Sequence, residues 1–291
     1  MFQGAFTALL TPFKKDGSID ERAFQSFIEW QIAEGIEGLV PCGSTGEAAT
    51  MTEQERKRVI SLCVEAAGHR VPVIAGTGTN CTASTIEMTK FAQQAGADGA
   101  LVVVPYYNKP MQEGLYQHFK AVNDAVNFPV VMYNVPTRTG RELAEDTVIR
   151  LSYLDNIVGI KDATADLSHV PVYKNKAKKG FCQLSGEDAL AVGYLAQGGD
   201  GIISVSSNIA PKMVSDVQKA WRKKEWSTVE TLQSKLADLH KAMFIETNPM
   251  PVKYAFSLMK KGEGVLRLPL VEVKESSKKF IEDVLKELGC V

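Results

Sequence analysis

Long apolar runs are missing from this 291-residue chain, and none approaches the roughly 20 residues that a bilayer core demands. The first residues, Met1-Phe2-Gln3-Gly4-Ala5-Phe6, carry no basic segment, so neither export nor membrane insertion is expected. Cysteine is sparse and unpaired: Cys42, Cys63, Cys81, Cys182 and Cys290 form an odd, scattered set without a CxxC. That argues against a disulfide framework and a structural zinc site, and fits a reducing cytoplasm. His69, His118, His169 and His240 are dispersed, with no HExxH, so catalytic zinc is not expected. Charge imbalance is also absent. Lys+Arg 33 against Asp+Glu 34 leaves a formal charge of -1, which speaks against nucleic acid or an anionic membrane as the main partner. Gly76-Thr77-Gly78-Thr79 lacks both the GxGxxG spacing and a P-loop lysine, so nucleotide chemistry has little support.

What is present is an ordinary soluble core, 45% hydrophobic, cut into short β-branched runs that alternate with helical periodicity. Strands are predicted over residues 4–12, 38–42, 71–75, 99–104, 130–133, 156–161, 181–185 and 201–205. Helices are predicted over residues 20–33, 52–67, 84–94, 113–126, 145–151 and 190–196, the second opened by a capping box, Thr52 with Glu55. Eight strands alternating with helices imply an α/β fold, a (β/α)8 TIM barrel. The turn Gly35-Ile36-Glu37-Gly38 recurs as Gly96-Ala97-Asp98-Gly99 and Gly198-Gly199-Asp200-Gly201. Its first glycine suits a left-handed helix cap, and its second suits close approach of helix and strand. No Ser/Gly/Pro-rich linker interrupts the series. After residue 205 only helices are predicted, over 211–223, 226–244, 252–260 and 273–288. The expected organisation is a barrel over residues 1–223 and a C-terminal helical extension over 224–291.

In such barrels the chemistry lies at the C-terminal strand ends. Asn156-Ile157-Val158-Gly159-Ile160-Lys161-Asp162 runs a single lysine onto the end of an apolar strand, with Ile157, Gly159 and Lys161 on one face. An amine held where water is scarce is less stable as the ammonium, and the neutral form attacks carbonyls. Gly159 beside it is expected to leave room. From this stretch alone, a lysine that snorkels to solvent is the commoner case. Other strand ends move the balance. Cys42-Gly43-Ser44-Thr45-Gly46-Glu47 offers two hydroxyls and loop amides suited to a small carboxylate. Tyr106 and Tyr107 end the fourth strand. Tyr133 ends the fifth, where a phenol could exchange protons with an imine, or could simply be a core tyrosine. Arg138 follows on a loop and could clamp a carboxylate, or serve an exposed ion pair. Their coincidence on one face of the barrel favours an imine-forming enzyme.

GSTGE at 43–47, PYYNKP at 105–110, YNVPTRTG at 133–140 and GIKDAT at 159–164 occur in an order and at separations that resemble the dihydrodipicolinate synthase family of pyruvate-dependent class I aldolases. The resemblance spans essentially the whole chain, including Gly186-Glu187-Asp188 and Asn248-Pro249-Met250-Pro251. It implies 4-hydroxy-tetrahydrodipicolinate synthesis in lysine biosynthesis, with no cofactor beyond a Schiff base between Lys161 and pyruvate. It also implies a proton relay of Tyr133, Ser44 and Tyr107, with Thr45, Gly186 and Ile203 holding pyruvate and Arg138 holding the carboxylate of L-aspartate 4-semialdehyde. Partners beyond the substrates would be other copies of the chain, in a homotetramer built as a dimer of dimers, with Tyr107 reaching into the neighbouring site. Ser44 departs from the threonine common in the family but keeps the hydroxyl. N-acetylneuraminate lyase is the alternative within the superfamily, and Arg138 argues against it. A non-catalytic pyruvate sensor is the alternative of another class, and it leaves Lys161, Tyr133 and Tyr107 without a purpose. Ala49, Glu53, Arg56, Asn80, Ser84 and Tyr106 fall where lysine-sensitive members bind the end product. Ser84 lacks the acid and Arg56 adds a cation there, so weak or absent inhibition is expected, with Glu53 as a possible replacement ligand.

Overall fold

The computed structural model describes residues 2–291. In chain order the elements are β1 (Gly4–Ala8), α1 (Glu21–Ala33), β2 (Gly38–Val40), α2 (Glu53–Ala67), β3 (Ile74–Gly76), α3 (Thr82–Gln94), β4 (Gly99–Val103), α4 (Gln112–Ala125), β5 (Val130–Asn134), α5 (Pro136–Thr139), α6 (Glu145–Ser152), β6 (Ile157–Asp162), α7 (His169–Lys176), β7 (Cys182–Ser185), α8 (Ala191–Ala196), β8 (Gly201–Ser204), α9 (Pro211–Lys223), α10 (Trp226–Met243), α11 (Met250–Leu258) and α12 (Glu275–Glu287). The strands form one parallel sheet in the order β2-β1-β8-β7-β6-β5-β4-β3. The architecture is a (β/α)8 barrel with additional C-terminal helices. Among the described residues no helix is long and apolar enough to cross a membrane.

Residues are grouped into two compact units, one of residues 73–203 with the extreme N-terminal residues, the other of residues 4–72 with 204–291. In the first, β4, β5 and β6 are nearly free of exposed side chains, as strands covered on both faces should be. In the second, α9 to α12 belong with β1, α1, β2 and α2. There Asn208 acts as a surrogate strand residue: its Oδ1 accepts from the Leu10 N–H at 2.9 Å and its Nδ2 donates to the Ala8 carbonyl at 2.8 Å. Those contacts satisfy backbone groups that would otherwise be buried without partners.

The repeated turn shows two distinct devices. Gly35, Gly96 and Gly198 have φ of 88°, 87° and 104°, the left-handed region that a Cβ disfavours. The acid two residues further on reaches a strand-opening amide: Glu37 Oε2 accepts from Ala5 N at 2.9 Å, Asp98 Oδ2 from Val73 N at 2.8 Å, and Asp200 Oδ2 from Gln183 N at 2.8 Å. Burial raises the Asp200 carboxyl pKa, opposed by that hydrogen bond. The closing glycine makes room for a side chain rather than for a helix, since a Cβ on Gly38 would lie 2.0 Å from the Phe6 ring and one on Gly99 2.9 Å from the Phe2 ring.

Two local expectations are revised and one holds. The third strand starts at Ile74 rather than at residue 71, because Pro72 has no N–H to give and Val73 donates to Asp98 instead of to a strand. Thr52 and Glu55 form the expected capping box, and α2 ends at Ala67, as expected, with Gly68 as its left-handed cap. A helix between β6 and β7, α7, has no counterpart in the sequence reading, because Pro171 sits inside its first turn and its eight residues show no apolar period.

Candidate active site

Strand β6 carries Lys161 to its C-terminal end, paired directly across from Tyr133 of β5 and Leu184 of β7. Both side chains of the first pair are almost enclosed, Lys161 at 6% exposure and Tyr133 at 8%. Lys161 Nζ lies 4.3 Å from the centroid of the Tyr133 ring, so the amine faces the π surface of the residue paired with it across the sheet. The expected space beside the lysine comes from a different glycine than Gly159. A Cβ on Gly159 would sit 2.5 Å from the Cys182 carbonyl oxygen, so that glycine admits β7 to close pairing. At Gly186 a Cβ would lie 3.1 Å from Lys161 Cε and 2.6 Å from the Ala163 methyl, so a side chain there would crowd the end of the lysine. The Gly186 N–H donates to the Asp162 carbonyl at 2.6 Å, which seats the β7 end against the lysine. Ile203 is fully buried on β8.

The next residue, Asp162, turns a buried carboxylate to the opposite face of the strand, toward α7. Its Oδ1 accepts from Thr164 N at 2.9 Å and Thr164 Oγ1 at 2.7 Å, and its Oδ2 lies 3.0 Å from His169 Nδ1. The hydrogen bond to Asp162 raises the His169 pKa first, burial opposes it, and the charges of Asp162, Asp166 and Glu142 add to the rise. A folded-state pKa above the unfolded value means stabilisation that is complete below the ordinary imidazole value near 6.5 and lost as pH rises through the higher folded value. The wild-type protein is therefore expected to be more stable than His169→Gln at pH 5.5, with the difference shrinking by pH 8.5. Chemical denaturation of both proteins at the two pH values measures it; a gap that widens with pH would contradict the pairing.

Arg138 is exposed on α5, a single turn between Pro136 and the left-handed Gly140. Thr139 pins the turn by donating to the Val135 and Arg141 carbonyls, at 3.1 and 2.6 Å. Glu187, half-buried after Gly186, feels both Arg138 and Lys161: burial and Asp188 raise its pKa, and the two cations pull it down. Tyr107 does not join this group. It has φ of 71° and is 88% exposed, while Tyr106 is 37% exposed and Asn108 Nδ2 donates to the Asn80 carbonyl at 2.9 Å.

The hydroxyl turn belongs to the other compact unit. Ser44 is half-buried and Thr45 is buried at 3% exposure, its Oγ1 accepting from Asn248 Nδ2 at 2.9 Å. That bond occupies a lone pair of Thr45 and leaves its proton to donate elsewhere. Glu47 closes the turn as a fully buried carboxylate paired with Lys253 and accepting from the Arg267 N–H at 3.1 Å. Burial drives the Lys253 pKa down to about 8, against the pull of Glu47. None of Glu47, Lys253 and Arg267 was marked as a site residue from the sequence, and the only hint was a glutamate in an otherwise uncharged turn. Glu53, Arg56 and Ala49 lie in this unit. Glu53 forms an i,i+4 pair with Lys57 at 2.6 Å, which lowers its pKa, with Arg56 contributing more weakly. Ser84 opens α3 and, with its own N–H, lowers the pKa of the exposed Cys81 thiol.

The model of the dihydrodipicolinate synthetase family matches residues 1–288 of the chain. The chain belongs to this family. A 4-hydroxy-tetrahydrodipicolinate synthase of Bradyrhizobium diazoefficiens is 50% identical over 290 residues, covering 100% of this chain and 98% of the relative. One from Rhodospirillum centenum is 51% identical over 289 residues, covering 99% of each. Among solved structures, the chloride-inhibited dihydrodipicolinate synthase of Acinetobacter baumannii, complexed with pyruvate, superposes with a TM-score of 0.97 at 43% identity over 100% of both chains. Members of the dihydrodipicolinate synthetase family are lyases of the class I aldolase type, and this chain is an enzyme of that kind.

Proposed function

We propose that the chain condenses pyruvate with L-aspartate 4-semialdehyde to 4-hydroxy-tetrahydrodipicolinate through a Schiff base on Lys161. The observation that carries this reading is the nearly enclosed Lys161 amine lying over Tyr133 and under the missing side chain of Gly186. The neutral amine adds to C2 of pyruvate, and loss of water gives the imine. Removal of a C3 proton gives the enamine, whose carbon attacks the aldehyde. The amine of the semialdehyde then adds to the imine carbon, the lysine nitrogen leaves, and the ring closes. No cofactor is required, because the protonated imine itself is the electron sink. Tyr133 carries protons to and from the reacting carbon and oxygen, with Ser44 and Tyr107 completing its relay. Thr45, with its proton free to donate, binds the pyruvate carboxylate, Gly186 and Ile203 are further pyruvate-binding residues, and Arg138 binds the carboxylate of the second substrate. The test is borohydride reduction in the presence of pyruvate, with the adduct mass expected on the peptide containing Lys161. An active enzyme that shows no adduct rules the imine out.

An assembly of at least two copies completes this reading. Tyr107, a large side chain 88% exposed on a left-handed backbone, is shaped to serve a site other than one within its own covered surface. The proposed assembly is a homotetramer of two such pairs. Mixing inactive Lys161→Ala with inactive Tyr107→Phe under conditions of subunit exchange is expected to restore part of the activity, because one of the two sites in a mixed pair is then intact. Mixed oligomers without restored activity place Tyr107 in its own chain's site.

Feedback by L-lysine is expected to be weak. Glu53 is already paired with Lys57, Arg56 adds a like charge, and Ser84 offers no carboxylate for an α-ammonium. Each of the last two features costs on the order of 1 to 3 kcal/mol, enough to weaken binding at least about tenfold. Initial rates at saturating pyruvate measure it, and strong inhibition by sub-millimolar lysine would point to Glu53 leaving Lys57 to bind the ligand.

A further inference from the structure

The Gly43–Glu47 turn is bracketed by two residues whose backbone the presence of a Cβ disfavours, Cys42 at φ 57° and Glu47 at φ 55°. Such outliers persist only where surrounding contacts over-determine them, and they concentrate at sites that need one fixed geometry. Here nearly every residue of the turn is held. The Glu47 N–H donates to the Ser44 carbonyl at 3.1 Å, and Thr11 Oγ1 donates to the Gly46 carbonyl at 2.9 Å. Two further clamps come from a single short segment at the start of α11: Asn248 donates to the Thr45 hydroxyl, and Lys253 pairs with the Glu47 carboxylate. Lys253 itself has no slack. Its Nζ also donates to the Val265 carbonyl at 2.7 Å and lies 3.9 Å from the centroid of the Phe13 ring. Arg267 places its guanidinium 4.3 Å from the same ring, bonds Glu55 at 2.5 and 2.9 Å, and gives its backbone N–H to Glu47.

A fully buried ion pair adds little net stability compared with apolar residues of the same volume, because both charges must be stripped of water. What it does provide is one defined geometry. We infer that Lys253 is a positioning residue for the pyruvate site: through Glu47 it holds the left-handed end of the turn, and thereby keeps the Thr45 hydroxyl in the orientation that receives the substrate carboxylate. The inference rests on the assignment of Thr45 to pyruvate made above, and it adds a role for a lysine that does not itself meet the substrate.

The experiment separates this role from a purely structural one. Lys253→Met leaves the Glu47 charge buried without its partner, so it is expected to unfold readily; adding Glu47→Gln removes that charge and should restore thermal stability. If the pair only supports the fold, the double variant regains full function. The positioning role instead predicts a stable double variant whose pyruvate concentration for half-maximal borohydride trapping stays about tenfold above wild type, with the same adduct mass at saturation and the semialdehyde KM changed less than about twofold. Thr45→Val alone should raise the same midpoint, and combining it with the double variant should raise it little further, since both disable one contact. Wild-type pyruvate dependence in the double variant, additive effects of Thr45→Val, or a double variant that does not fold would each overturn the inference. An adduct missing from the wild-type enzyme would instead be the failure of the Schiff-base reading, seen before any variant is made, and would remove this inference with it.

Discussion

Lys161→Ala is expected to abolish the borohydride-trapped pyruvate adduct and to lower kcat by on the order of 10³-fold or more, since no other group can form the imine and the remaining contacts only bind. The structure supplies a rival that makes this a sharp prediction. Lys253 is also buried, and its pKa is driven down to about 8, the usual mark of a nucleophilic amine. It is nonetheless poorly placed to react, being fully enclosed, paired with Glu47, bonded to the Val265 carbonyl and capped by the Phe13 ring, so no carbonyl can reach it. Lys161 has a glycine where a covering side chain would be. Peptide mapping distinguishes the two directly. Lys161→Arg is expected to be as inactive as the alanine variant, because a guanidinium stays protonated and cannot add to a ketone. An adduct of full yield in Lys161→Ala would move the nucleophile elsewhere and end the proposal.

Arg138→Ala is expected to separate the two substrates. Pyruvate imine formation should be nearly unchanged, while kcat/KM for the semialdehyde falls by roughly 30- to 1,000-fold, the equivalent of about 2 to 4 kcal/mol for a lost charge-assisted bidentate contact. The arginine stands exposed on a one-turn helix whose ends are fixed by Pro136 and Gly140, so its removal creates no cavity and stability should change little. Its electrostatic neighbour is Glu187, whose raised pKa Arg138 and Lys161 both counteract. Without the guanidinium that carboxyl should titrate higher still. Trapping by pyruvate alone and steady-state rates with both substrates give the two halves of the result. Equal losses in both would mean that Arg138 serves the pyruvate site or the fold.

Some of this was readable in one dimension for plain reasons. Apolar runs covered on both faces located β4, β5 and β6 to within a residue or so, and the Thr52–Glu55 capping box is a contact between residues three apart, visible in any short window. The left-handed glycines at 35, 96 and 198 were equally local, since the conformation belongs to a single residue at the end of a helix. That Lys161 and Tyr133 both end strands was legible too, whereas their direct pairing is a matter of register between β5 and β6 that the fold decides.

Other features depend on which segments meet, and no window contains that. Gly159 looked like room beside the lysine, yet its space is filled by Cys182, while the room beside Lys161 comes from Gly186, just past the end of β7. Helix α7 forms despite Pro171 and without an amphipathic period, so tertiary contacts rather than propensity decide it. Glu47 reads in sequence as one acid in a glycine turn, and only folding brings it Arg267, a residue 220 positions away, and Lys253. Local dihedral preferences and short-range hydrogen bonds are written into neighbouring residues, so the sequence alone determined most element types and singled out Lys161 as the candidate nucleophile. Close packing and buried charge pairing are properties of distant segments placed within a few ångströms of each other, so only the tertiary structure decided which glycine lies against Lys161 and what holds the Gly43–Glu47 turn.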